Sequence, residues 1–239
     1  VIFSGLTSVS GNAGPGINIH DTVDDAGTTT VVEGQVFFSE VNLAADGQTG
    51  LVASNATSLQ IANGTINATN SGAVANISDS LIDVRLRSIF ADGGPFAVNI
   101  ADTTGTFAAL GDGSRTPGSG GLIQNTTTGV TLSNAGTVFL QFVDFDANQH
   151  VLSDSGSASI TVAGANISNT TGGALTPNTI FVTQNTKGLE ISGSNINTGN
   201  AIGLFDGTVN TVDSYSYAFA NNSLVSDAGD LFRVTSQAG

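Results

Sequence analysis

The side chains of this sequence with the clearest chemical potential are carboxylates, which form three candidate pairs: Asp24 with Asp25, Asp92 with Asp112, and Asp144 with Asp146. Clustered carboxylates bind calcium, or act as general acid and base when an acidic polysaccharide is cleaved. Asp144 and Asp146 flank Phe145, so on a strand both would project outward, where they could share a cation. Asp is also an ordinary turn-forming and solubilising residue, and we interpret the pairs in that way.

An enzyme of this kind also needs a base or a cation beside its carboxylates, but the candidate groups are scattered. Arg85 and Arg87 fall in a different repeat unit from the carboxylate pairs, and Lys187 is isolated. His20 and His150 are far apart in the sequence and have neither the spacing of zinc ligands nor that of a nucleophile elbow. We therefore predict a protein that is not an enzyme, with no catalytic, cofactor-binding or metal-ligating residue and no cofactor.

One segment, "GDGSRTPGSGG" at residues 111–121, has the Gly and Pro density of a loop pushed out from the fold. It lacks the Gly-Lys-Ser/Thr ending that cradles phosphate, so a nucleotide site is not expected. Long loops on rigid scaffolds often carry recognition, which makes this segment a candidate binding loop. A simple insertion without function is the alternative interpretation.

Charge and composition exclude several classes of partner. The formal net charge is −14, which would repel nucleic acid and an anionic bilayer surface. No apolar run approaches the roughly 20 residues of a membrane span. The sequence contains no Cys, which is compatible with an exported protein, and no Met, which indicates a processed or excerpted segment. We predict no nucleic-acid partner and no membrane-spanning segment.

A repeat organises the chain around these residues. The stretches "LQIANGTINATNSGAV" (59–74) and "ITVAGANISNTTGGAL" (160–175) agree in every large apolar position. Eight units carry residues of this kind at their first, third and eighth positions, and 22 of those 24 positions are Val, Ile, Leu, Phe or Tyr. The units begin at Val36, Leu59, Ile82, Phe107, Val138, Ile160, Leu189 and Tyr217.

The repeat predicts the fold. Two-residue alternation indicates strands, while Glu, Lys and Arg are scarce and Val, Ile, Thr and Asn are abundant. Periods of this length are typical of solenoids, whose units bury their apolar faces only by stacking. We predict an all-β, single-domain parallel β-helix of about eight to nine rungs of 22–31 residues. Residues 1–16 would form an N-terminal strand or extension, 17–232 the β-helix and 233–239 a C-terminal tail.

Equivalent residues of successive rungs should stack in columns. We expect an inward apolar column of Leu43, Ile66, Ile89, Ser114, Phe145, Ile167, Ile196 and Leu224. We expect an outward polar column of Asn42, Thr65, Ser88, Gly113, Asp144, Asn166, Asn195 and Ser223.

Two short motifs carry a family resemblance. Phe219 and Asn222, in "FANNSLVSDAGDLF", match FxxN, and "GGAL" at residues 172–175 matches GGA[ILV]. "FDAN" at 145–148 is a further FxxN in a different register. The chain from 36 to 232 thus resembles chlamydial polymorphic outer-membrane proteins and related β-helical autotransporter passengers. The resemblance implies a right-handed coil, an extracellular or cell-surface location, and an adhesive or structural role.

These observations predict a non-enzymatic, surface-displayed β-solenoid that binds a host or cell-surface ligand or assembles end to end into a filament. A β-helix that binds or degrades polysaccharide is the alternative. "VIFSGLTSVSG" at the start and "LFRVTSQAG" at the end read as strands without a cap. Either the segment continues in a longer protein or copies pair end to end, and we expect residues 1–9 to complete the edge of a neighbouring subunit.

Overall fold

The structure is a computed structural model that describes residues 1–11, 14–20, 35–169, 178–183, 187–198, 201–207, 216–226 and 232–237. This part of the chain contains 25 β-strands and no helix. The first twelve strands are β1 (Ile2–Ser10), β2 (Ile17–His20), β3 (Gln35–Asp46), β4 (Leu51–Ser54), β5 (Ser58–Ile61), β6 (Gly64–Thr69), β7 (Ala75–Ser78), β8 (Leu81–Leu86), β9 (Ser88–Asp92), β10 (Phe96–Ala101), β11 (Thr104–Ala109) and β12 (Gly121–Gln124). The others are β13 (Thr128–Ser133), β14 (Thr137–Gln141), β15 (Val143–Asp146), β16 (His150–Ser155), β17 (Ser159–Ala163), β18 (Asn166–Asn169), β19 (Asn178–Thr183), β20 (Gly188–Ser192), β21 (Asn195–Thr198), β22 (Ala201–Gly207), β23 (Ser216–Ala220), β24 (Ser223–Ser226) and β25 (Phe232–Gln237).

From β4 onward each strand pairs in parallel with the third strand after it, so the chain returns to the same place every three strands. This gives three series, whose outer surfaces we call the first face (β5, β8, β11, β14, β17, β20, β23), the second face (β6, β9, β12, β15, β18, β21, β24) and the third face (β2, β4, β7, β10, β13, β16, β19, β22, β25). The long strand β3 pairs with both β5 and β6 and joins the first two series into one sheet of 16 strands. The topology is consistent with the predicted β-solenoid.

The strand β1 lies along almost the whole of β3, from Ile2 opposite Phe37 to Ser10 opposite Ala44. Residues 1–9 therefore extend the edge of their own chain's sheet, and their predicted pairing with the edge of a neighbouring subunit stays a prediction. Within the described residues, the other edge of β1 has no strand partner.

The predicted inward column is confirmed on both sides of the 111–121 loop. Leu43 pairs with Ile66 and Ile66 with Ile89, and all three are fully buried. Beyond the loop, Phe145, Ile167, Ile196 and Leu224 pair in the same way. Every strand pair is parallel, and all but β1–β3 and β19–β22 keep one register, so matching apolar side chains stack along a single buried core. At the end of the column Leu224 is 37% exposed.

The predicted register is wrong between β8 and β11, where the repeat placed Phe107 opposite Ile82. In the structure Gly105 pairs with Ile82, and Phe107 pairs with Val84. Gly105 is required there, since a Cβ would lie 2.0 Å from the Ile82 carbonyl oxygen. A search for large apolar residues passes over the exposed Gly105 opposite Ile82 and takes Phe107 instead, which shifts the predicted register by two residues.

The same loop displaces two residues of the predicted columns. Ser114 and Gly113 lie in the exposed loop, not beneath Ile89. Gly121 pairs with Ile89, and Ile123 pairs with Phe145.

A second register error affects the third face. Leu51, Val74 and Ala97 each lie 15 residues after the start of their unit, so the repeat predicts that they pair. In the structure Leu51 pairs with Ala75 and Ala75 pairs with Val98, one residue further along the chain. Val74 and Ala97 are themselves fully buried, so burial alone does not distinguish the two registers.

The aligned core makes a direct prediction for Ile66, which lies between Leu43 and Ile89. Replacing it with Ala should lower the free energy of unfolding by about 2–5 kcal/mol, because the cavity cannot collapse between two fixed rungs. The next residue, Asn67, points outward and is exposed, so Asn67→Ala should change it by less than about 0.5 kcal/mol. Urea unfolding followed by circular dichroism measures both, and equal effects would contradict the column.

Candidate functional site

The pair Asp144 and Asp146 lies on β15 and flanks Phe145, which is buried. Both carboxylates therefore project outward from one strand, as predicted. The Asp144 carboxylate accepts two hydrogen bonds from the next rung, 2.8 Å from the Asn166 backbone nitrogen and 3.2 Å from its Nδ2. Asn166 thus occupies both oxygens of Asp144, and the two residues tie consecutive rungs together.

The same arrangement recurs elsewhere, with an asparagine amide of one rung donating to the carboxylate of the previous rung. Asn125 Nδ2 lies 2.7 Å from Asp92 Oδ1, and Asn134 Nδ2 lies 3.0 Å from Asp102 Oδ1. Asn70 makes the equivalent bond to Asp46. Since like charges directly opposite each other destabilise a sheet, an amide donor opposite each of these carboxylates avoids that repulsion.

Asp92 and Asp112 do not form the predicted pair. Asp92 ends β9 and is bound by Asn125, whereas Asp112 lies in the exposed loop between β11 and β12. Hydrogen bonding from the Ser114 hydroxyl, and then from its backbone N–H, lowers the pKa of Asp112. Asp24 and Asp25 lie outside the described residues.

The basic residues and histidines are dispersed. Arg85 forms an ion pair with Asp83 of its own strand, with 2.9 Å between Nε and Oδ1, and both side chains are about half exposed. Arg87 and Lys187 are exposed. His20 and His150 lie on β2 and β16, five strand steps apart in one sheet, or roughly 24 Å. No three His, Asp or Glu side chains of the described residues are grouped as metal ligands would be.

The 111–121 segment is a loop, as predicted, up to Gly121, where β12 begins. Its end packs beside β15, since a Cβ at Gly118 would lie 3.1 Å from Asp144 Oδ2. Next to it Phe142 adopts a φ of 59°, unusual for an aromatic residue, and its ring fits between two glycines. A Cβ at Gly164 would be 2.6 Å from this ring, and one at Gly111 would be 3.1 Å away.

An open groove of about 420 Å³ follows the corner between the third and first faces. Asn55, Asp79 and Asp102 line it on successive rungs, and all three have φ near 50°, a conformation that Asn and Asp tolerate. These residues turn the chain at the corner, which accounts for their type without a ligand.

Inside the corners, polar side chains bind the backbone of the preceding rung. Asn148 is fully buried, and its Oδ1 accepts from the Thr126 N–H at 3.0 Å while its Nδ2 donates to the Ile123 carbonyl at 2.9 Å. Asn222 does the same for Ser194 and Ile191, at 3.0 and 2.8 Å. The two FxxN matches thus share one role at different corners, with Asn tying the turn and Phe packing on the core. Residues 172–175, the GGA[ILV] match, lie outside the described residues.

The third face presents an array of polar side chains that the sequence analysis missed. Asn76, Asn99, Thr131 and Ser153 follow one another on β7, β10, β13 and β16, and each lies in register with the next. Asn99 Nδ2 donates to Asn76 Oδ1 at 2.9 Å. The signal was present as polar residues on either side of a single inward residue in "NIS", "TLS" and "SDS", and on one side in "NIA".

Comparison of the chain with protein-family models, curated proteins and solved structures gives no significant match. In the residues that the structure describes, no helix has the length and apolar character needed to cross a membrane.

The buried corner bonds predict a large effect of Asn148→Ala. This change leaves the Thr126 N–H and the Ile123 carbonyl without partners in a dry corner, so it should cost at least about 2 kcal/mol of unfolding free energy. Asp146 lies two residues away but is exposed, and Asp146→Ala should cost less than about 0.5 kcal/mol. Chemical denaturation tests the difference, and a neutral Asn148→Ala would refute the role assigned to FxxN.

Proposed function

We propose that this chain is a non-enzymatic extracellular β-solenoid, displayed at a cell surface, where it serves as a structural or adhesive element. In this proposal it coils as a right-handed parallel β-helix of nine rungs, with β1 and β2 forming the first rung. The observation that carries the proposal is the single apolar core, which runs unbroken from Ile17 to Ile196 and is enclosed by in-register parallel strands. Such a core makes a stiff spacer that grows by adding equivalent rungs.

The outer surface supports the same role. The chain carries a net charge of −14, and amide side chains of one rung donate hydrogen bonds to several carboxylates of the preceding rung. A strongly acidic surface favours solubility and resists non-specific association. An acidic surface is compatible with the proposed resemblance to autotransporter passengers. The FxxN motif of that resemblance has a physical basis, because Asn148 and Asn222 both bind the backbone of the preceding rung.

End-to-end assembly is part of the proposal because exposed apolar side chains concentrate at the two ends of the stack of strands, at β1 and at β23 with β24. Within the described residues, eight large apolar side chains are exposed, and seven of them lie at those ends. The seven are Val1, Ile2, Phe3 and Leu6 at one end and Tyr217, Leu224 and Val225 at the other, while Leu81 is the eighth. Every strand pair is parallel, so β24 of one copy could extend the β1 edge of the next with the same polarity.

The β1 end also offers a receptive surface. The Phe3 and Phe38 rings stack there, with centroids 4.6 Å apart, beside an open, largely apolar groove of about 510 Å³. Ile17, Ile19 and Val36 line this groove. Apolar side chains arriving from a second copy would be removed from water there, which favours association.

Two matched substitutions that each introduce a positive charge, Leu6→Lys and Leu81→Lys, test the assembly prediction. Both residues are exposed, at 59% and 48%, but only Leu6 lies on the end strand. Leu6→Lys should weaken self-association at least tenfold, about 1.4 kcal/mol, because a charge would have to be buried between copies. Leu81→Lys should associate like the parent chain.

Multi-angle light scattering over a concentration series, with electron microscopy of the particles, measures this assembly. A parent chain that stays monomeric at high concentration, or equal weakening by both variants, would refute end-to-end assembly. Surface display is tested separately by protease shaving of intact source cells, where protection of the chain would count against it.

A further inference from the structure

We propose that the third face binds an uncharged polysaccharide through its array of hydroxyl and amide side chains. This inference rests on the adhesive role proposed above and names the ligand class and the surface for it. The array consists of the outward residues of four adjacent strands: Asn76 and Ser78, Asn99 and Ala101, Thr131 and Ser133, and Ser153 and Ser155.

The first argument is charge. On the described strands β2, β4, β7, β10, β13 and β16, the only Asp, Glu, Lys or Arg is Asp154. Asp154 points inward, is 1% exposed and accepts hydrogen bonds from Ser157. The first and second faces carry charged side chains, among them Asp83, Arg85 and Asp144. Over these six strands the third face therefore carries no outward carboxylate, Lys or Arg, on a chain whose net charge of −14 repels polyanions and leaves neutral polymers unaffected.

The second argument is hydrogen-bonding capacity. Thr131, Ser133, Ser153 and Ser155 are half-buried or exposed, and their hydroxyls have no side-chain partner among the described residues. Hydroxyl and amide groups both donate and accept, so they match the hydroxyls of a sugar ring. The Asn99–Asn76 bond fixes both amides and leaves Asn76 Nδ2 and Asn99 Oδ1 for a ligand.

The third argument is geometry. Equivalent groups repeat at about 4.8 Å from strand to strand and at roughly 6.6 Å between alternate residues of one strand. The backbone beneath them is held by buried residues, including Ile77, Ile100 and Leu132, so the array is rigid before a ligand arrives. A polymer that repeats the same hydroxyls can make many weak contacts at once, whereas a single sugar cannot. The array therefore favours a polysaccharide over a small ligand.

The test uses retention of the full chain on insoluble cellulose, chitin and β-1,3-glucan, with immobilised polygalacturonate as the polyanionic comparison. We expect retention on at least one neutral polymer, little dependence on salt, and none on polygalacturonate. Retention on no neutral polymer, or preferential retention on polygalacturonate, would overturn the inference.

A hydroxyl-deleted variant assigns any retention to the third face. The substitutions Thr131→Val, Ser133→Ala, Ser153→Ala and Ser155→Ala should weaken binding at least tenfold, about 1.4 kcal/mol. The matched control removes four outward hydroxyls from the first face, with Thr106→Val, Thr137→Val, Ser159→Ala and Thr161→Val. The control should bind within about twofold of the parent chain, and equal losses would overturn the assignment.

Two further measurements keep the result interpretable. If the fourfold variant does not fold, Ser133→Glu at an exposed position replaces it, and normal binding by that variant would count against the inference. Light scattering on the same samples separates the two proposals. A parent chain that binds a neutral polymer without assembling leaves the third-face inference standing, while a parent chain that assembles but binds no neutral polymer overturns only that inference.

Discussion

Parallel, in-register backbone pairing between equivalent strands is the constraint on which the rest of this structure depends. It places each residue directly above and below its own counterparts, so any favourable or unfavourable property of one position is repeated along the stack. Apolar positions become continuous buried columns, as with Leu43, Ile66 and Ile89. The stability of the molecule is therefore distributed over nearest-neighbour contacts and has no single centre.

The same constraint explains the surface. A stack of identical carboxylates would repel itself, and the chain places asparagine amides against Asp46, Asp92, Asp102 and Asp144. At the corners, Asn and Asp accept the left-handed conformation that a sharp turn requires. Inside the corners, Asn148 bonds to backbone groups that would otherwise be buried without partners. These Asn and Asp residues thus have a structural purpose, so a pair of acidic residues in this sequence is not by itself evidence of a catalytic site.

The three faces differ in what they can offer a partner. The first two carry charged side chains, and the projecting loop packs beside Asp144 on the second. On β2, β4, β7, β10, β13 and β16 the third face carries no outward carboxylate, Lys or Arg. Exposed apolar side chains concentrate at the two ends of the stack of strands, whereas the side faces are mostly polar. The two roles proposed for the chain, ligand binding on a side face and assembly through the ends, would use different surfaces. Binding and assembly would therefore not compete.

By itself the sequence determined the fold class, because two-residue alternation and a repeat of 22–31 residues leave few ways to bury the apolar residues. It also predicted the outward projection of Asp144 and Asp146 and the 111–121 loop. It could not set the register where Gly105 pairs with Ile82, since glycine carries no hydropathy signal. Only the tertiary structure decided which residues meet, such as Asn125 with Asp92 across 33 positions, or Asn76, Asn99, Thr131 and Ser153 on one face. The physical reason is that coil lengths vary, so lateral neighbours are set by backbone pairing between rungs and not by any fixed spacing along the chain.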